Sequence, residues 1–310
     1  MIVKLPGLIA AALLLLSATA GAQSIATVST AQGEVSLVEA ATQTPRALAA
    51  APDGRVANGG VAQGDEVRTG AGASASILFP DGSVVRLAGS TRVAVTERPI
   101  PGAGGPGRKS VKRQLHLKEG SLACDVKPKT PVYTSIRTSL GTVGVRGTRL
   151  TVSASGGRFQ VAAESGQVFV MDTPGRAVFD LGEGQILQLE VNEQGQLVAQ
   201  VLADGGTPVM ATIGNARLRM GNGAIVRVGG VAGERLTVTG IAGNVRVTYP
   251  ATGASESLPA GKTLPVLGPD APGPLPGDET AEGAPAGAEA YPALPSIPVI
   301  RDTVEASKFR

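Results

Sequence analysis

The feature that most restricts the fold is a succession of short Val-, Leu-, Ile- and Thr-rich segments, broken by glycine-containing turns about every 8–12 residues. Apolar residues alternate with polar ones in segments such as 75–79 and 84–87, which is typical of strands with one buried face. Asp81 and Gly82 between these segments predict a tight hairpin, because Asp-Gly accepts positive φ angles. The sequence therefore predicts an all-β chain, folded as a glycine-turn-rich sandwich or as a short β-solenoid of hairpins.

An internal repeat extends this pattern. Segment 156–187 aligns without a gap on 233–264, at an offset of 77 residues, and 10 of the 32 aligned positions are identical. The matches fall on turn glycines and alternating apolar residues. One such unit cannot bury its apolar face alone, so we expect the two copies to stack or to continue one sheet. We predict a first β domain over 23–200 and a second, similar β unit over 205–265.

The two ends of the chain have different compositions. Residues 1–22 combine Lys4, an apolar core, and the small residues Ala20 and Ala22, which predicts a Sec-type signal peptide and a periplasmic or otherwise exported protein. The apolar stretch is shorter than the roughly 20 residues of a membrane-spanning helix, and we expect no transmembrane segment in the mature chain. Residues 266–310 contain eight prolines, seven acidic and three basic residues, which predicts a disordered acidic tail.

Composition argues against several kinds of chemistry. With 1 His and 1 Cys, the chain cannot build a four-ligand His/Cys zinc site or an intrachain disulfide. Cys124 lies in an apolar strand pattern and is expected to be buried, and His116 alternates with leucines and is expected to face solvent or a polar neighbour. Aromatic residues are 3% of the chain, which leaves few platforms for base stacking. We predict no catalytic residue, metal, cofactor or nucleic-acid partner.

Segment 98–113 is rich in Gly and Pro and carries five basic residues and no acidic one. It predicts a flexible basic loop between strands. The loop is either simply solvated or a contact for an acidic polymer or for lipid head groups. Its candidate binding residues are Arg108, Lys109, Lys112 and Arg113.

The order of the turn motifs resembles the FecR domain over about 30–190. The matching segments are GDEVRTG at 64–70, FPDGS at 79–83, KEGSL at 118–122, TSLGTVGVRGT at 138–148 and ESGQVFV at 164–170. The resemblance implies an all-β periplasmic domain. In the best-known members this domain relays a signal from an outer-membrane siderophore receptor to a sigma factor. The residues that match the family motifs, and that we expect to be structural, are Gly64, Asp65, Asp81, Gly82, Arg146, Gly147, Thr148 and Gly166.

Those best-known members carry a cytoplasmic anti-sigma segment and a membrane helix before the domain, whereas the apolar segment here is predicted to be cleaved. Our leading hypothesis is a non-enzymatic, exported FecR-domain protein that serves as a binding, sensing or assembly module of the bacterial envelope. It would act in signal transduction through a membrane or envelope protein that adds a strand to a sheet edge. The alternative is a structural envelope protein that holds acidic glycan or lipid through loop 98–113. Only the second kind of binding should weaken sharply with salt.

Overall fold

The computed structural model describes residues 23–100, 110–128, 131–145, 147–231 and 234–266. The predicted signal peptide and residues 267–310 of the predicted tail lie outside this part, as do Arg108, Lys109 and Arg146. All regular secondary structure in the described part is β-strand, which confirms the all-β prediction. None of the described residues belongs to a helix that is long and apolar enough to cross a membrane.

The described residues form two successive groups of strands. The first group ends with the longest strand and comprises β1 (Ala26–Gln32), β2 (Val35–Val38), β3 (Pro45–Ala47), β4 (Gly60–Val61), β5 (Glu66–Thr69), β6 (Ser74–Leu78), β7 (Val84–Leu87), β8 (Arg92–Pro99) and β9 (Val111–Asp125). The second group comprises β10 (Val132–Arg137), β11 (Gly141–Val145), β12 (Arg149–Ser155), β13 (Arg158–Ser165), β14 (Val168–Asp172), β15 (Ala177–Leu181), β16 (Gln185–Val191), β17 (Leu197–Asp204), β18 (Val209–Ile213), β19 (Ala216–Met220), β20 (Ile225–Gly230), β21 (Leu236–Ala242), β22 (Val245–Thr248), β23 (Ser255–Ser257) and β24 (Thr263–Val266).

These strands build two long sheets. Sheet A has the order β4-β1-β6-β7-β9-β12-β13-β16-β17-β20-β21-β24, and sheet B has the order β3-β2-β5-β8-β9-β10-β11-β14-β15-β18-β19-β22-β23. Buried and exposed residues alternate along most strands, and the buried apolar residues of both sheets form one hydrophobic cluster. The molecule is therefore a two-layer sandwich with a continuous core between the sheets.

Strand β9 belongs to both sheets. Its first part pairs with β8 and, in parallel, with β10 in sheet B, while its last part pairs with β7 and β12 in sheet A. Gly120 lies where the strand passes from one sheet to the other and has a φ of 94°. A Cβ atom at this position would lie 2.5 Å from the Thr91 Cα and 2.6 Å from the Ser90 carbonyl oxygen. Only glycine fits this crossing point without displacing backbone.

From β12 onward the chain adds strands in pairs, two to sheet A and then two to sheet B. One turn recurs before β16, β20 and β24, where an amide of Gly184, Gly223 and Gly261 donates to a carbonyl of the preceding sheet A hairpin at 2.8, 2.9 and 2.9 Å. These glycines are 39 and 38 residues apart in the chain. The structural repeat is therefore a unit of four strands, and the offset of 77 spans two units.

The strands of the second predicted β unit continue both sheets of the sandwich rather than one. β17 pairs with β16 on one side and with β20 on the other, and β15 pairs with β18. The predicted interval between the two units, 200–205, falls at the end of β17. Each additional four-strand unit thus buries its apolar face against the same core as its predecessor.

The core includes the single cysteine. Cys124 is buried in β9, where burial raises the pKa of its thiol to about 12. The thiol is protonated at neutral pH and is packed like a small apolar side chain, as predicted. His116 lies on the exposed face of the same strand, also as predicted. Partial burial, with Lys118 and Arg137 nearby, lowers the pKa of His116.

Candidate binding surface

The FPDGS segment forms the predicted hairpin between β6 and β7. The Gly82 amide donates to the Phe79 carbonyl at 2.9 Å, and the Phe79 amide donates to the Ser83 carbonyl at 3.0 Å. The Asp81 carboxylate accepts hydrogen bonds from the amide of Ser83 at 3.2 Å and from its hydroxyl at 2.9 Å. The Ser83 hydroxyl in turn accepts from the Lys127 amide, which ties the turn to the chain that follows β9.

Arg113 links the other side chains of this motif. Its guanidinium, 2% exposed, binds both Asp81 oxygens at 3.3 and 3.2 Å and the Glu97 carboxylate at 2.7 Å. The guanidinium carbon also lies 3.7 Å from the centre of the Phe79 ring. Burial alone would raise the pKa of Asp81, but the hydrogen bonds and charge of Arg113 outweigh burial and lower it. The arrangement is a buried, fully paired ion network that fixes the hairpin.

The ends of the predicted loop 98–113 differ from the prediction. β8 continues through Pro99 and β9 begins at Val111, so both ends of the segment are strand. Because side chains alternate along a strand, Arg113 points inward to its carboxylates while Lys112 points outward. Arg113 therefore belongs to the buried network and is not available to an external anion. Lys112 stays a candidate contact and lies directly opposite Arg98 on the outer face of sheet B.

Gly64 and Asp65 form a second turn of the family pattern. The Asp65 carboxylate is buried and accepts the amides of Ala40 at 2.9 Å and Ala62 at 2.8 Å. The Gly64 amide donates to the Val95 carbonyl at 2.8 Å. The turn therefore ties β5 to β8 and to the chain after β2.

The third group of motif residues lies where the chain enters β12. Gly147 packs so closely on Pro128 that a Cβ atom would lie 2.9 Å from the proline Cα. The carbonyl of Thr148 accepts the Val126 amide at 3.0 Å, and Gly166 lies against the Thr148 side chain. These contacts join the two chain segments that follow β9 and β11.

Sequence reasoning missed a charged cluster on the outer face of sheet B. Glu66 is buried and forms ion pairs with Arg68, Arg92 and Lys118, which lie on β5, β8 and β9. Burial alone would raise the pKa of Glu66, but hydrogen bonds from the three cations outweigh burial and lower it to about 2. Glu66 and Arg68 are two residues apart on one strand, so this ion pair could be predicted from the sequence. Arg92 and Lys118 come close to Glu66 only through the order of the strands in sheet B, which the sequence does not give.

The outer face of sheet B also exposes apolar side chains. Of the seven large apolar residues that are exposed in the described part, five lie on this face. Four of them, which we call the sheet B patch, lie on the adjacent strands β14, β15 and β18: Phe169, Met171, Val178 and Met210, between 37 and 49% exposed. Met171 lies directly opposite Val178, and Asp180 lies between Phe169 and Met210. The fifth is Tyr133. A sequence signal existed at 168–171, where apolar residues occupy both faces of the strand.

Three arginines continue this surface toward the C-terminal end of the sheet. We call Arg217, Arg219 and Arg246 the arginine group, and all three are exposed on the outer face of β19 and β22. Arg219 lies directly opposite Met210 on one side and Arg246 on the other. No carboxylate of the described residues forms an ion pair with any of the three. The face thus joins an apolar area to an unpaired cationic one.

The side chains exposed on this surface are suited to contacts with another molecule. In the part of the chain that the structure describes, no group of three or more His, Cys, Asp or Glu side chains could hold a metal ion. The ion networks around Arg113 and Glu66, and the buried Asp172–Arg176 pair, consist of mutually paired groups and stabilise the fold. The exposed elements that could contact another molecule are the sheet B patch, the arginine group, and the Arg98–Lys112 pair.

Comparison with known proteins places part of this molecule in a family. The family described as "FecR protein" matches residues 65–169, and no curated protein matches the chain. Two crystal structures of a protein described as an anti-sigma factor from Parabacteroides distasonis ATCC 8503 are 21 and 20% identical, with TM-scores of 0.34 and 0.35. Each alignment covers 44% of this chain and 59% of that structure. The ordered turn motifs and the family match agree, and the chain carries a FecR domain over residues 65–169.

Proposed function

We propose that this protein is a non-enzymatic FecR-domain module that binds a protein partner in the bacterial cell envelope and takes part in sensing or signal transduction. The family match over 65–169 supports the signalling class, and the sequence of residues 1–22 supports export to the periplasm. The observation that carries the proposal is the sheet B patch next to the arginine group. Contiguous exposed apolar area on a folded protein is typical of interaction sites.

The internal repeat shows that the fold does not require this patch. At the offset of 77, Phe169, Met171 and Val178 correspond to Arg246, Thr248 and Ser255. The second copy occupies the equivalent strands of the same sheet with polar side chains. The apolar residues of the first copy are therefore a local specialisation of the surface.

The sheet edges are less suited to a partner than this face. The edge strands of the described part are β3, β4, β23 and β24, which have only three, two, three and four residues. β3 and β24 also contain Pro45 and Pro265, which have no amide to donate to an added strand. Short edges with proline discourage strand addition. We therefore assign the partner to the outer face of sheet B rather than to a sheet edge.

The partner should carry apolar side chains beside carboxylates, since that chemistry complements the patch and the arginine group. A photo-reactive amino acid at Thr212, between the two areas, tests this in living cells of the host. The matched control position is Thr237, which is exposed on the outer face of sheet A. We expect the Thr212 variant alone to be cross-linked to one defined envelope protein, and the purified pair to bind each other.

Changing Met171→Thr and Val178→Ser, which copies the second repeat, should reduce this cross-linking at least tenfold without unfolding the chain. Equal products from Thr212 and Thr237, or a captured protein whose purified form does not bind, would contradict the proposal. Fractionation of the same cells tests export, which predicts a chain shortened near residue 22 in the periplasm.

A second candidate function rests on the Arg98–Lys112 pair. Two cations directly opposite each other on adjacent strands repel, and an acidic glycan or lipid head group would relieve that repulsion. Binding to vesicles that contain an anionic lipid tests this candidate. Binding that disappears in high salt and in the Arg98→Ala/Lys112→Ala variant would support it, whereas vesicle binding that survives both changes would exclude it.

A further inference from the structure

The arginine group carries an electrostatic cost that points to an acidic occupant. Arg219 and Arg246 are direct neighbours across β19 and β22, and Arg217 lies on the same face two residues along β19 from Arg219. Like charges placed directly opposite each other destabilise a sheet. None of these three arginines forms an ion pair with a carboxylate of the described part, and the acidic side chain in the same register row as Arg219, that of Asp180, lies two strands away. A segment that bears carboxylates would remove this cost when it covers the face.

The chain contains a segment with the required chemistry outside the described part. Residues 278–289 include four acidic residues and no basic one, and residues 291–300 include Tyr291, Leu294, Ile297, Val299 and Ile300. An acidic stretch is thus followed by an apolar one. The surface has the same two parts, a cationic area and an apolar area, side by side.

The order of the two parts also agrees. The described chain ends at Val266 in β24, at the C-terminal end of the sandwich. A chain that runs from there along the outer face of sheet B meets β22 and β19 with the arginine group first, and then β18, β15 and β14 with the sheet B patch. The acidic stretch comes first in the sequence and the apolar stretch follows.

The distances allow this path. Positions 266 and 278 are twelve residues apart, and a chain of that length reaches at most about 40 Å, which exceeds the distance of about 10 Å between packed sheets. The five strands from β22 to β14 span about 20 Å at the usual strand spacing of about 4.8 Å. Residues 278–300 are long enough to cover both areas.

We propose that residues 278–300 of this chain dock on the outer face of sheet B, with their carboxylates on the arginine group and their apolar residues on the sheet B patch. This inference rests on the proposed function, because the segment would occupy the same surface that is assigned there to the partner. A tethered segment has an effective concentration in the millimolar range, so even a weak contact keeps the surface occupied.

Disulfide trapping in the purified full chain tests the contact directly. Cys124 is buried and does not compete for oxidation, so two introduced cysteines report on each other. The test pair is Thr212→Cys with Ser296→Cys, and the control pair is Thr237→Cys with Ser296→Cys; both sheet positions are exposed. Under mild oxidation we expect the disulfide within one chain to form at least tenfold faster in the test pair, as measured by mass spectrometry of its peptides.

Adding Arg219→Glu and Arg246→Glu to the test pair should slow its disulfide to the control rate, because it turns attraction into repulsion. Equal rates in the two pairs, disulfides found only between two chains, or a rate unchanged by the arginine substitutions would each overturn the proposal. The experiment contains no partner, so its failure leaves the cross-linking result at Thr212 in cells intact. Conversely, trapping without any captured envelope protein would support the docked segment and count against the proposed partner.

Discussion

Among the individual residues, Arg113 contacts two of the side chains that define the FPDGS motif at 79–83. Phe79, Asp81 and Ser83 are held together because the guanidinium contacts the ring, binds the carboxylate, and thereby positions the hydroxyl. Glu97 supplies the second negative charge. Removing one partner of a buried ion network leaves the others charged and unpaired, which costs far more than the network itself contributes.

Arg113→Met should therefore lower the free energy of unfolding by about 3–5 kcal/mol, measured by urea denaturation. Lys112→Met is the matched control, since its side chain lies next in the chain on the exposed face, and it should change stability by less than about 0.5 kcal/mol. Adding Asp81→Asn and Glu97→Gln to Arg113→Met should recover part of the loss, because no unpaired charge is then buried. A similar effect of both single substitutions would show that the network does not determine stability here.

Glu66 should make stability depend on pH in the acid range. Its pKa is about 2 in the folded chain, below the ordinary value of 4.5. The stabilisation by its three cations is therefore complete above about pH 4.5 and disappears as the pH falls toward 2. Glu66→Gln should destabilise the protein at pH 7, and the difference from the parent should shrink as the pH decreases to 2. Denaturant unfolding at several pH values measures this, and a difference that stays constant across the range would disprove the assignment.

Some of these residue roles could be predicted from sequence. The exposure of His116 and the burial of Cys124 follow from strand alternation and were predicted correctly. The sequence predicts a loop at Arg113, because the segment 98–113 is rich in Gly and Pro and carries five basic residues. The inward direction of Arg113 depends on where β9 begins, and its carboxylates come from positions 16 and 32 residues earlier in the chain. No local pattern contains that information.

At the scale of single elements, β9 connects the two layers, and Gly120 makes the connection possible. The strand leaves sheet B and enters sheet A without a loop, so its backbone passes close to Ser90 and Thr91. Gly120→Ala forces a methyl group into that backbone at a φ of 94° and should lower stability by at least about 2 kcal/mol. Thermal unfolding measures the loss.

Gly195→Ala provides the control for this prediction. Gly195 also has a positive φ, 72°, but a Cβ atom there meets nothing within 4 Å. Gly195→Ala should lower the free energy of unfolding only by the backbone strain of about 1–2 kcal/mol, which is less than the loss expected for Gly120→Ala. If the two substitutions cost the same, the crowding at the crossing point is relieved by small backbone shifts and β9 does not depend on glycine for its path.

The same element shows the limits of sequence analysis. The strand segments and the Asp81–Gly82 hairpin were predicted because each rests on a few neighbouring residues. The membership of β9 in two sheets was not predicted, because it depends on pairing with strands on both sides in the chain. The sheet B patch was missed for a related reason. Apolar residues on both faces of β14 look like a buried strand until the pairing order shows that no layer of the described chain covers its outer face.

Across the whole molecule, the sandwich grows by repeating one unit of four strands. The offset of 77 in the sequence spans two of these units, and the structural period, read from the recurring glycine turns, is about half as long. Each unit adds two strands to each sheet and extends one core. The consequence is a molecule whose central strands have partners on both sides and whose terminal strands have a partner on one side only.

Native-state hydrogen exchange should resolve this organisation. Backbone amides of β13, β16 and β17 should exchange only through global unfolding, whereas those of β3, β4, β23 and β24 should exchange through local opening at a much lower free energy, since an edge strand is hydrogen-bonded on one side only.

A boundary between two domains at 200–205 would require two strand pairings to break together, β15–β18 in sheet B and β17–β20 in sheet A. We therefore expect β12 through β20 to exchange as one cooperative unit when denaturant is raised. If β18 through β24 instead opened together at low denaturant while β12 through β17 stayed protected, the chain would consist of two thermodynamic domains separated near residue 204, and the continuous sheets would not imply continuous stability.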